Sequence, residues 1–220
     1  MPPSPPSRAA EVKELLRERG IATAKSFTTN GDWMPPYDLG KVKGDGVLHE
    51  PKNIGGFYGG GGGDLKGAED ADINVSFWTD AAPVCRQTIV AAHPDLPADR
   101  AVVADMADDK AAERVVAACG DVAITSGGPP CHGMSPMNEK NHAKKKYTDM
   151  NNHVLRYLDA AIRVNARVIV LENAAALATF AKFRKLLAKA VKKLRTAGYF
   201  VSVNVVNFAN YRVRRGYSLH

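Results

Sequence analysis

From Asn53 onward the chain alternates short apolar runs with amphipathic stretches, and this alternation restricts its fold more than any other feature. The runs "NIGGFY", "INVSFWT", "RAVVA", "DVAITS", "RVIVLE" and "FVSVNVVNF" read as strands, bounded by Gly, Pro, Asp and Asn. Between them, "APVCRQTIVAAH", "DKAAERVVAACG", "HVLRYLDAAIRV" and "FAKFRKLLAKAVKKLRTAG" repeat apolar residues at three and four, the helical period. Strands separated by helices are joined as crossovers, and crossovers give a mostly parallel sheet with helices on both faces. An α/β, Rossmann-like layered domain is the expected fold.

The first fifty residues do not share this pattern. They open with a Pro/Ser-rich tail, offer one short amphipathic helix in "AAEVKELLRERG", and then run through Gly, Pro, Asp and Lys without period. Residues 1–52 are therefore expected to be a poorly ordered extension with a short helix, and 53–220 the folded domain. No apolar run is long enough to span a bilayer, and the start lacks the basic-then-apolar order of a secretory signal. Three cysteines without paired metal spacing read as reduced thiols, so an intracellular protein is expected. The net charge of +7 tilts the choice of partner toward a polyanion.

In an open parallel sheet, ligands sit beyond the carboxyl ends of the strands, so those ends are where chemistry is sought. The first strand runs into "GFYGGGGGDLKG", where glycines allow tight turns and close approach of backbone to a ligand; taken alone, such a run is equally a flexible linker. The second strand ends at Asp80, placed to accept hydrogen bonds from ribose hydroxyls, and the third is followed by Asp105 and Met106. Either aspartate could instead cap the helix that follows.

The fourth strand ends in "SGGPPCHGMSP", where glycine and proline fix the backbone around Cys131. The fifth ends in "VLEN", which brings Glu172 and Asn173 to the same edge. A thiolate is a nucleophile, and a carboxyl beside it can exchange a proton with a ring nitrogen, so the pair suits covalent activation of a heterocycle. A zinc deaminase also carries a proline-cysteine turn, but with a second cysteine three residues on, where this chain has Met134. No metal is expected.

In order, "GFYGGGGGDLKG", "FWTDAAPV", "VVADM", "SGGPPCHGMSP", "VIVLENAAAL" and "NVVNFANYRVRR" resemble the motifs of the cytosine-5 DNA methyltransferases, from Ile54 to the end. The resemblance implies a class I methyltransferase fold, S-adenosyl-L-methionine as cofactor, and duplex DNA with a flipped cytosine as partner. It implies that Cys131 adds to carbon 6 of the base, that Glu172 holds and protonates nitrogen 3, and that Asn173 orients the cysteine turn. Tyr58, Gly60, Gly62 and Gly63 would line the methionine side of the cofactor, Asp80 the ribose, and Asp105 with Met106 the adenine, while Pro130 and Val154 close the pocket. Ser135 and the lysines Lys144, Lys145 and Lys146 would meet DNA phosphates, although a lysine run read by itself is usually a solvated surface. The nucleus of a eukaryote, or the cytoplasm of a bacterium or virus-infected cell, is the compartment implied.

Several positions differ from the family pattern. His132 stands where glutamine is usual, Ala174 where valine is, and Gly56 where an acid is. Arg212, Arg214 and Arg215 lie near, but out of register with, the arginines that follow the sixth strand. The chain stops at His220, before the last strand and target-recognition region of the resembled proteins. An incomplete last part of the sheet is expected, with a second polypeptide supplying recognition, or else a fragment that binds without catalysing. A transfer-RNA cytosine methyltransferase shares the same core motifs.

Overall fold

The structure is a computed structural model that describes residues 52–134 and 144–205. Five strands form one all-parallel sheet: β1 (Asn53–Phe57), β2 (Asn74–Asp80), β3 (Ala101–Val103), β4 (Ile124–Gly127) and β5 (Val168–Leu171), in the order β3-β2-β1-β4-β5. The helices are α1 (Gly63–Glu69), α2 (Pro83–Ala92), α3 (Asp109–Cys119), α4 (Lys145–Asn151), α5 (His153–Arg163), α6 (Ala176–Thr179) and α7 (Arg184–Thr196). These elements belong to one compact unit.

Consecutive residues of a strand face opposite ways, and β1 shows how the two layers are built. A Cβ at Gly55 would touch Cys119 of α3, whereas one at Gly56 would touch Leu65 of α1. Ile54, Leu65, Trp78, Ile89 and Ala101 make the core between the sheet and α1 with α2. On the opposite face Phe57 packs its ring against Phe77 and Tyr157, with α3 and α5 above. The Tyr157 hydroxyl donates to the Val170 carbonyl at 2.9 Å and shares a 3.1 Å hydrogen bond with the Thr125 hydroxyl, fastening α5 to β4 and β5 together.

The helix ends follow from local chemistry. Pro83 opens α2, where its missing N–H has no intrahelical partner to lose. Asp108 caps α3 by accepting from the Lys110 amide at 2.9 Å. Gly198, at φ +90°, closes α7: its amide meets the Arg195 carbonyl and the Tyr199 amide meets that of Leu194. This pair of bonds is the Schellman arrangement.

The segment after the cysteine turn, for which the sequence offers no helical period, is helical over Lys145–Asn151, supported by the Lys145–Asp149 ion pair one turn apart and by the buried Asn151. Two expectations need correction. The sixth strand is not present in its described part, since residues 201–205 have no regular structure. Apolar alternation makes a strand only where a neighbour takes up its backbone N–H and C=O groups, and no ladder partner exists for it among the described residues. In addition, "FAKFRKLLAKAVKKLRTAG" is divided between a short turn at Ala181–Phe183 and α7.

Candidate active site

The chain runs from β1 outward to β3 and then returns to the other side of β1 with β4. The strand order therefore reverses between β1 and β4, a switch point of the kind beyond whose carboxyl ends open α/β sheets place their ligand crevice. The glycine loop leaves β1 there and the cysteine turn leaves β4.

The glycine loop is held by its own backbone and by Asp80. Gly59 donates to the Thr79 carbonyl at 3.1 Å, and Gly62 to that of Gly59 at 2.8 Å. Tyr58, Gly60 and Gly62 have φ of 53°, 48° and 79°, in the left-handed region that glycine enters without strain. A Cβ at Gly62 would fall 2.2 Å from Ile89 Cδ1, so this glycine packs closely as well as turning. Cβ atoms at Gly60 and Gly63 would stand in open space, on a side free for a ligand. Beneath the loop lie Trp78 Nε1 and His93 Nε2, two buried nitrogens without hydrogen-bond partners among the described residues. The other nitrogen of His93 pairs with Glu69.

Asp80 has a structural task in addition to any ligand. One carboxylate oxygen accepts from the Gly60 amide at 3.0 Å and the other from the Ala82 amide at 2.9 Å, tying the glycine loop to the start of α2. Each oxygen retains accepting capacity. Asp105 is exposed and binds the Ala107 amide through one oxygen, at 2.8 Å. Neither aspartate caps the helix that follows: α2 has no side-chain cap and Asp108 caps α3, so Asp80 and Asp105 make only i+2 turn bonds ahead of those helices. Met106 is buried, its carbonyl accepting from Arg156.

The cysteine turn is fastened from two sides. The Glu172 amide donates to the Gly127 carbonyl at 3.0 Å, and Asn173 Nδ2 donates to the Pro129 carbonyl at 3.1 Å, while Asn173 Oδ1 takes the Ala174 amide at 2.9 Å. A Cβ at Gly128 would lie 3.5 Å from Glu172 Oε2. The Glu-Asn corner and the proline turn are therefore in contact. On the other side, Gly133 fits against α4 so closely that a Cβ would come 2.3 Å from Asn151 Oδ1 and 2.6 Å from the Tyr147 carbonyl. The Met134 amide closes the turn onto the Cys131 carbonyl at 2.8 Å. Cys131 is partly exposed and Glu172 exposed, both within reach of a substrate. Cys119, buried in α3, differs: burial pushes its thiol pKa up to about 12 and leaves it inert.

A family model for C-5 cytosine-specific DNA methylases matches residues 57–215. The chain belongs to that family. No curated protein sequence matches it. The matched range begins at Phe57, the last residue of β1, and so takes in the glycine loop, the cysteine turn and the Glu-Asn corner of this methylase domain.

Within it, Tyr58, Gly60, Gly62 and Gly63 follow β1, Asp80 ends β2 and Asp105 follows β3, while Pro130 and Cys131 follow β4 and Glu172 and Asn173 follow β5. Val154 has no exposed surface and stands behind the site as packing. Ser135 and the three displaced arginines lie outside the described residues. Lys144, Lys145 and Lys146 are exposed at the start of α4, with Lys145 engaged by Asp149.

One residue escaped the sequence reading as a site residue. His153, the first residue of α5, shares a 3.0 Å hydrogen bond with the Tyr58 hydroxyl and meets its ring edge-on. Burial lowers the His153 pKa, opposed by nearby Asp105 and reinforced by Arg156. Burial likewise raises that of Tyr58, so the hydroxyl stays protonated. The neutral pair fixes a strained tyrosine at the mouth of the glycine loop. Ninety-five residues separate the two, and no spacing in the sequence signals the contact.

Proposed function

We propose that this chain methylates carbon 5 of cytosine in DNA through a transient covalent bond from Cys131. The observation that carries the reading is the contact between proline turn and Glu-Asn corner, made by the Glu172–Gly127 and Asn173–Pro129 hydrogen bonds. It brings a thiol and a carboxyl to adjoining strand ends beside a glycine crevice.

The glycine loop suits S-adenosylmethionine, since Gly60 and Gly63 leave room for close approach and Asp80 keeps acceptor capacity for hydroxyls. Tyr58, Gly60, Gly63, Asp80 and Asp105 would hold it, and when bound it supplies an electrophilic methyl group. Cys131, as thiolate, adds to carbon 6 of the extruded base, while Glu172 gives its proton to nitrogen 3; the electrons of the 5,6 double bond become available at carbon 5. Carbon 5 takes the methyl group and then loses its own proton to a base. The carbon 6–sulfur bond breaks, the double bond re-forms, and nitrogen 3 returns its proton to Glu172. Asn173 acts by holding the turn, and therefore the thiol, in place.

The test is trapping on duplex DNA carrying 5-fluorocytosine, with RNA of the same sequence in parallel. Fluorine cannot leave as a proton does, so a methylated covalent adduct accumulates on DNA. Cys131→Ser and Glu172→Gln are expected to abolish it while cofactor binding persists. An adduct in the Cys131→Ser protein, or one formed on RNA alone, would refute the proposal.

A further inference from the structure

A second feature near the cysteine turn lies outside the crevice. Between α4 with the start of α5 and α7 runs a groove of about 420 Å³, with Thr148, Asn152 and Leu155 on one wall and Lys182, Lys185 and Lys189 on the other. From Lys182 to Thr196 the sequence holds no acidic residue. Lys193 is neutralised by Asp159 of α5, but Lys185 and Lys189 are exposed and make no ion pair among the described residues. One helical turn apart, their stems rise along the groove about 6 Å from each other. The groove also touches the catalytic region, because Asn151, which lines it, is the residue against which Gly133 of the cysteine turn packs. Lys144 and Lys146 extend the same positive charge to the start of α4.

We propose that this groove binds the phosphate backbone of the duplex DNA that carries the target cytosine, with Lys185 and Lys189 as phosphate contacts. The proposal rests on the DNA reading of the active site. One wall offers ammonium groups and the other a hydroxyl and an amide, a combination suited to phosphate oxygens and lacking any carboxylate that would repel them. A membrane surface is the poorer match. The apolar residues of α7, Leu187, Ala190 and Val191, are buried in the fold, and the helix has no apolar face left to enter lipid.

The experiment compares two double variants of the full chain with equal loss of charge. K185Q/K189Q removes two of the three ammonium groups of the groove wall, whereas K192Q/R195Q neutralises the same helix outside it. Binding of a fluorescent DNA duplex is titrated at several salt concentrations. Each lost phosphate contact flattens the slope of log K against log salt by about 0.9, so the groove variant should lose about 1.8 and the control much less. Thermal melts establish that both remain folded. A wild-type slope in K185Q/K189Q overturns the proposal, as does an equal loss in both variants, or a loss seen only with anionic vesicles or RNA. Trapping with 5-fluorocytosine in the same proteins separates the two readings: an adduct with an unchanged slope defeats the groove alone, and a wild-type protein that binds DNA without adduct defeats the chemistry alone.

Discussion

Removing the Asp80 carboxylate should destabilise the folded chain before any ligand is added. Two backbone amides, Gly60 and Ala82, donate to its two oxygens at 3.0 and 2.9 Å. Bonds to an ionised acceptor contribute about 1.5–3 kcal/mol when buried, but this carboxylate is only half-buried and water can take its place, so about 1 kcal/mol each is the appropriate scale. Asp80→Ala then costs about 2 kcal/mol, which for a domain of this size lowers Tm by roughly 4–8 °C. Asp80→Asn keeps one acceptor and turns its NH2 group against the other amide, so about half that fall is expected. The assay is a melt of each protein alone and with saturating S-adenosylmethionine. If Asp80 also receives ribose hydroxyls, Asp80→Asn loses more of the cofactor-induced rise in Tm than its own instability explains. Should Asp80→Ala melt with the wild type in the absence of ligand, the tie between loop and helix contributes nothing, and the reasoning fails.

Three further outcomes follow from the same geometry. Gly133→Ala must displace Asn151 or the Tyr147 carbonyl, a steric cost of about 1–3 kcal/mol, and should reduce adduct formation at least tenfold while calorimetry shows cofactor affinity unchanged. His153 has a folded pKa below its ordinary 6.5, so the unfolded chain binds its proton more readily. Its contribution to stability is complete above 6.5 and is lost as pH falls through 6.5 toward the lowered folded value; denaturant titrations from pH 7.5 to 5 should show a smaller loss in His153→Gln than in wild type. A thiol reagent at pH 8 should modify Cys85 and Cys131 in the native protein and spare Cys119 until it is unfolded, as peptide mapping will show.

The strands were readable because each is a short apolar run closed by glycine or an acid, and five of the six expected form, among the described residues, within three residues of their expected limits. The sixth is different in kind. Its alternation is as clear as that of β2, yet a strand is completed by its neighbour, and a neighbour is a property of the whole sheet. The lysine segment differs in the opposite direction: "KKYTDMN" has no apolar stripe, and its helix is accompanied by an ion pair from Lys145 to Asp149 and by Asn151 packing against Gly133.

The site divides along the same line. Cys131, Glu172 and Asn173 could be proposed from sequence because strand ends in a parallel sheet converge, so placing a residue at an end is nearly enough to place it in the crevice. What could not be read is the second role of each anchor. Asp80 is legible as an acid at a strand end, but not as the group that ties Gly60 to Ala82. Asn173 is legible beside Glu172, but not as the donor to the Pro129 carbonyl. The glycines show the reason most plainly. In sequence they form one uniform run, whereas in the structure Gly59 and Gly62 are required by Trp78 and Ile89 beneath them, and Gly60 and Gly63 face open space. Substitution should therefore separate them. Alanine at Gly62 meets both a positive φ and Ile89, and destabilises the fold itself; alanine at Gly63, the first residue of α1, meets neither and leaves the fold intact, so a loss of cofactor binding there reports on what the crevice holds.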